Sequence, residues 1–145
     1  MKTFHQTEIP VLWSHLDSNH HVNNAIFQFY FDEARMQALE STGFNLAELR
    51  KINVGPVIYK SEIEYKKPLY HPETAIIQTW FEGLEKVRGI TCQNLYRKSD
   101  GELVCKARFY SIFFDLEKDK PWKIPLELGE NLRELSGPSK NTLAA

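Results

Sequence analysis

The chain has 145 residues, 42% of them hydrophobic and 26% charged, with a formal net charge of −1. This is ordinary globular composition, enough for one domain with a real core and short for two. The positive charges are scattered, which argues against a nucleic-acid-binding surface. Cys92 and Cys105 lie in strand-like runs and make no disulfide framework. They read as packing residues in a reduced, cytoplasmic setting. No stretch approaches the length of a membrane span, and the first residues carry no apolar leader.

Phe4 to Trp13 reads as a first strand, bent or at an edge at Pro10, which cannot donate to a ladder. A polar loop follows, Asp17-Ser18-Asn19-His20-His21-Val22-Asn23-Asn24, with one acid, two histidines and three asparagines. Either Asn23 or Asn24 suits the N-cap of the helix predicted over Ala25 to Ser41, and Gly43 suits its C-terminal cap. Ile26, Phe27, Phe29, Tyr30, Phe31 and Ala34 cover nearly the whole circumference of the first two turns. A helix apolar all round is expected to be buried all round. Gln37 and Glu40 return polarity near its far end, about 25 Å away at 1.5 Å per residue.

Asn45 to Lys51 suggests a short helical turn. The period then changes to two. Val57 to Lys66 alternates as a half-buried strand, and Pro68 and Pro72 bracket a turn. Glu73 to Glu85 forms another strand, with Ala75, Ile77, Thr79 and Phe81 on one face. A hairpin near Glu85-Lys86 leads to Val87–Arg97. Ser99-Asp100-Gly101 then turns the chain into Leu103–Asp115, since Asp-Gly tolerates positive φ. Trp80, Tyr110, Ile112 and Phe114 fall on what would be the outer face. Ile124 to Leu135 suggests a short amphipathic helix closing a single domain at 1–135, with a loose tail over 136–145.

Hairpin joints make the last four strands antiparallel, and one sheet cannot cover its apolar face unaided. The expected fold is α+β: an antiparallel sheet of about five strands wrapped around one long central helix.

With Asp17-x-x-x-x-Val22-Asn23-Asn24 at the loop-to-helix junction, that order resembles the hotdog-fold acyl-CoA thioesterases of the 4-hydroxybenzoyl-CoA thioesterase type. The loop is also similar to that of hotdog acyl-ACP thioesterases. Two further patches agree: Tyr65-Lys66-Lys67-Pro68, and Phe114-Asp115 followed by Lys120-Pro121 and Ile124-Pro125. The resemblance implies hydrolysis of an acyl-CoA or acyl carrier protein thioester without metal or cofactor, CoA being part of the substrate. It also implies a homodimer or homotetramer with sites at subunit interfaces. Asp17 would be the catalytic acid, the backbone N–H of Asn24 the polarising donor, and Asn19, His21 and Asn23 residues that hold Asp17 or water in place.

The chemistry suits those residues. A carboxylate can attack a thioester carbonyl or deprotonate water. The free N–H groups expected around Asn23 and Asn24 can stabilise the oxygen that becomes negative. Phe27 and Tyr30 belong to the core and next to the wall of an acyl pocket. Lys86 and Arg88, near a hairpin, can meet the phosphates of a carrier. The spacing of His15, Asp17, His20 and His21 matches no metal-ligand pattern. Glu33 is read as a salt-bridge partner of Arg35. Two rival functions remain, a hotdog dehydratase acting on hydroxyacyl thioesters and a non-catalytic acyl-thioester binding domain. The former needs a His/Asp or His/Glu pair in local contexts that this sequence does not match. Composition does not choose the acyl group.

Overall fold

The structure, a computed structural model, describes residues 3–138. Six strands and three helices follow one another as β1 (His5–Pro10), α1 (Asn24–Ser41), α2 (Leu46–Lys51), β2 (Val54–Tyr65), β3 (Thr74–Glu82), β4 (Arg88–Arg97), β5 (Leu103–Asp115), β6 (Lys120–Pro121) and α3 (Leu126–Glu134). The sheet order is β1-β3-β4-β5-β2, antiparallel throughout, with the two-residue β6 added to β5 beyond the five strands expected. The sheet curls about α1, which is the hotdog arrangement.

Helix α1 begins where the asparagines predict. Asn23 has an extended backbone and its side chain accepts from the Ala25 N–H at 2.9 Å. Past its end Gly43 takes φ 101°, a left-handed value that suits a residue without Cβ. Phe31, Ala34 and Ala38 are wholly buried, and the Phe31 ring meets Phe109 of β5 at 5.8 Å. On β3, Ala75, Ile77, Thr79 and Phe81 all face the core, as the alternation predicts.

Four expectations need correction. First, α1 is not buried all round, because Phe29 is 67% exposed. Second, β2 is not half-buried: it is mostly exposed from Val57 to its end. Both follow from one cause. The helix packs against β1 and β3, while β2 is the opposite edge of the sheet. Third, the first strand stops at Pro10, and the chain leaves the ladder through a single 3₁₀ turn at Trp13–His15. Fourth, Arg35 pairs with Asp32 at 3.1 Å, while Glu33 accepts from Gln37.

Of residues 136–145, only 136–138 lie within the described residues. There the Gly137 N–H donates to the Thr3 carbonyl at 2.8 Å, and a Cβ on Gly137 would stand 2.7 Å from Trp80. No helix of the described residues is long and apolar enough to cross a membrane.

Candidate active site

The loop before α1 is a tight hairpin closed by a bridge between Leu16 and Val22. The Asp17 N–H donates to the His21 carbonyl at 2.9 Å, and the His20 N–H to the Asp17 carbonyl at 3.0 Å. His20 sits at the bend with φ 61°. The Asp17 side chain also has a local partner, since its Oδ1 accepts from the Asn19 N–H at 2.8 Å. This is an Asx turn, and it fixes the direction in which the carboxylate points. Two further bonds pin the loop to its surroundings, Val22 N–H to the Leu69 carbonyl at 2.8 Å and Asn23 N–H to the His15 carbonyl at 3.0 Å.

These bonds narrow the choice of oxyanion donor. The expectation that the Asn23 N–H is free is wrong, because it is spent on His15. The next donors along, those of Ala25 and Ile26, go to the side chain and carbonyl of Asn23. Among the described residues no acceptor takes the Asn24 N–H. It stands at the positive end of an 18-residue helix.

Asp17, Asn19, His21, Asn23, Asn24 and Phe27 all border one cleft of about 450 Å³. All six are residues that the sequence expects at the site, and they border this one cleft. Opposite them stands the end of β2, which the sequence reading left out of the site: Tyr65, followed by Lys66 and Lys67. The Tyr65 O–H donates to the Asn24 carbonyl at 3.4 Å, and its ring meets Phe27 edge-to-face at 5.4 Å. Burial, with Cys105 adding a smaller effect, raises the Tyr65 phenol above its ordinary range. The two lysines are held by acids, Lys66 by Glu64 at 3.2 Å and Lys67 by Glu102 at 2.9 Å. The Tyr65-Lys66-Lys67-Pro68 run was the signal that pointed here.

Other expected site residues lie elsewhere. Tyr30 is buried behind the loop rather than on the cleft wall. Its hydroxyl bonds His15 Nδ1 at 2.7 Å, and burial pushes its phenol up to about 12. The Leu12 N–H reaches the same nitrogen at 3.3 Å, so Nδ1 is the acceptor for both. His20 is exposed and outside the cleft, while His21 packs edge-to-face on Tyr70 at 5.2 Å. Lys86 and Arg88 line a separate cleft of about 540 Å³ with Lys123 and Arg133. None of these four cations has an acidic partner among the described residues. No three His, Cys, Asp or Glu side chains among the described residues are grouped so as to hold a metal ion.

A family model described as the thioesterase-like superfamily matches residues 11–132. The chain belongs to that superfamily. Among curated proteins of known name it is 28% identical to the long-chain acyl-CoA thioesterase FadM of Escherichia coli over 130 residues, spanning 90% of this chain and 98% of FadM. It is 30% identical to the putative acyl-CoA thioesterase YneP of Bacillus subtilis, over 79% of this chain and 82% of YneP. Among solved structures, the putative thioesterase PA2801 of Pseudomonas aeruginosa superposes with a TM-score of 0.78 at 25% identity, covering 92% of this chain and 98% of that one. The superfamily match includes both the Asp17 loop and the Tyr65 strand end.

Proposed function

We propose that this thioesterase hydrolyses acyl-CoA with Asp17 as the reacting carboxylate and the Asn24 N–H as the donor to the thioester oxygen. One observation carries the residue assignment. An acid fixed by its own Asx turn shares a cleft with the one N–H of the helix's first turn that no described acceptor takes. As charge builds on the carbonyl oxygen, that donor and the helix dipole stabilise it, an effect of order 10²–10³ in rate for one donor. The carboxylate either adds to the carbonyl, and the adduct expels the thiolate to leave a mixed anhydride that water then cleaves, or it takes a proton from water as water adds and returns that proton to the thiolate as the adduct collapses to the free acid. Asn19 steadies the carboxylate through its backbone. His21 and the side chain of Asn23 shape the cleft, and Tyr65 holds the loop-to-helix junction from the strand side.

No residue of this scheme calls for a metal or cofactor. Lys86 and Arg88, with the cations beside them, suit the phosphates of a carrier, CoA or acyl carrier protein. The bare β2 edge suits a homodimer, paired further into a homotetramer through the outer sheet face. The two free, buried cysteines suit a reducing, cytoplasmic setting.

Thiol release from aliphatic, aryl and hydroxylated acyl-CoAs tests the reading. Turnover of at least one class is expected, falling at least about a hundredfold in Asp17→Ala while the melting temperature stays close to wild type. Full turnover in that variant would remove Asp17 from the mechanism.

A further inference from the structure

Asp17 and the Asn24 N–H come from different segments: Asp17 follows the 3₁₀ turn at Trp13–His15, and Asn24 opens α1. The hairpin that carries Asp17 is bonded mainly within itself, through Asp17 N–H to the His21 carbonyl, His20 N–H to the Asp17 carbonyl and Asn19 N–H to the Asp17 side chain. Those bonds give the hairpin its shape and leave its tilt against α1 to its stems. Of residues 12–17, His15 alone is hydrogen-bonded to α1 or to its cap among the described residues.

Its carbonyl accepts from the Asn23 N–H at 3.0 Å, and its own N–H donates to the Leu12 carbonyl at 3.0 Å. The ring Nδ1 stands 2.7 Å from the Tyr30 hydroxyl and 3.3 Å from the Leu12 nitrogen. Tyr30 lies about two turns along α1 from Asn23. One residue is thus fastened to the helix in two places, at the cap through its backbone and farther on through its ring. The same residue stands between the two reacting groups. Asp17 follows it by one intervening residue, Leu16. On the other side, the Asn24 N–H shares a rigid peptide plane with the Asn23 carbonyl. That carbonyl is held by the Ile26 N–H at 2.9 Å, and the Asn23 nitrogen is held by His15.

The ring bond works in one form. A backbone N–H only donates, so Nδ1 accepts from Leu12, and the nearer Tyr30 hydroxyl donates to it as well. Nδ1 then carries no proton, and the ring hydrogen is on Nε2. Burial pushes the Tyr30 phenol up to about 12, so the hydroxyl keeps the proton that it shares. Tyr30 is buried, and Nδ1 is the one hydrogen-bond partner of its hydroxyl among the described residues. Without that acceptor a buried hydroxyl is left bare, which disfavours the close fit of loop on helix. Neither side chain borders the Asp17 cleft, so the pair acts on the reaction only through what it holds.

We propose that His15 is a positioning residue of the reaction, setting the distance between the Asp17 carboxylate and the Asn24 N–H by accepting the Tyr30 hydroxyl at Nδ1 and the Asn23 N–H at its carbonyl. This rests on the roles proposed above for Asp17 and Asn24 and adds what keeps them in register. Substrate is bound by the cleft walls, whereas the carboxylate and the donor must meet one carbonyl group together as the transition state forms. Loosening His15 therefore costs turnover rather than binding.

Steady-state thiol release tests it, with whichever of decanoyl-CoA and benzoyl-CoA the wild type turns over faster. His15→Leu fills the space and offers no acceptor, and should lower kcat about tenfold while KM stays within about twofold. His15→Asn puts its Oδ1 in the place of Nδ1, and should return kcat to within about threefold of wild type. Tyr30→Phe should lose as much as His15→Leu, and the double variant no more than either, since both changes remove one bond. Wild-type kcat in His15→Leu, an Asn variant as slow as the Leu variant, additive losses in the double variant, or a loss confined to KM would each overturn the inference. Tyr30→Phe removes the same bond from the helix side and replaces His15→Leu should that chain not fold. Asp17→Asn, measured beside them, reports on the reaction alone. Full turnover there would remove the carboxylate from the mechanism, whereas a slow Asp17→Asn beside a wild-type rate in His15→Leu would overturn only the role of His15.

Discussion

At the scale of single residues, the loop and the helix start act through a few hydrogen bonds, each with a separate consequence. The Tyr30–His15 bond locks the loop to α1 from behind and leaves the phenol buried. Burial favours the neutral phenol, raising it to about 12 in the folded chain, against about 10 when unfolded. Stability from this group is therefore complete below pH 10 and is lost as pH rises from 10 toward 12. Denaturant melts of wild type and Tyr30→Phe should differ in slope over that window and run parallel at pH 7–9. Parallel curves throughout would show that the phenol is as free to ionise as in water. That Asp17, Asn24 and Phe27 border one cleft was legible from the sequence because they fall within one loop-to-helix junction. Tyr65 lies 41 residues after Asn24. Its place opposite Phe27 depends on where β2 ends relative to α1, which periodicity does not reveal.

Element by element, the helices and strands were legible wherever the period was strong, and failed where tertiary placement decides exposure. The β3 alternation matches its buried face because both sheet neighbours and α1 cover it. The same alternation in β2 has no such cover, so a half-buried pattern stands on an open edge. The all-round apolar start of α1 misled for a related reason. A sequence states that Phe29 is to be covered, and not whether the same chain covers it. The N-cap is a more local matter, and there the expectation and the structure agree on Asn23. Asn23→Ala should cost about 1 kcal/mol in stability, read from urea unfolding, since it leaves the Ala25 N–H without its acceptor. Because that change also loosens the turn presenting the Asn24 N–H, kcat should fall with it. Unaltered stability would mean that water caps the helix equally well.

For the molecule as a whole, uncovered apolar side chains gather along one edge of the sheet: Val57, Ile58, Tyr59 and Tyr65 of β2. Exposed edges with apolar side chains are places where chains associate. A dimer at micromolar concentration is expected in light scattering. Ile58→Lys, which puts a charge on the exposed apolar edge, should weaken the dimer about tenfold. An unchanged dissociation constant would contradict association through the β2 edge. The reaction itself is tested most directly at Asp17, with a replacement that keeps the loop. Asp17→Asn retains a side-chain oxygen for the Asn19 N–H, so the Asx turn survives and the reacting carboxylate alone is removed. Thiol release from the preferred acyl-CoA, measured in wild type and Asp17→Asn at equal thermal stability, is predicted to fall at least about a hundredfold in kcat. A variant that releases thiol at the wild-type rate would contradict the account.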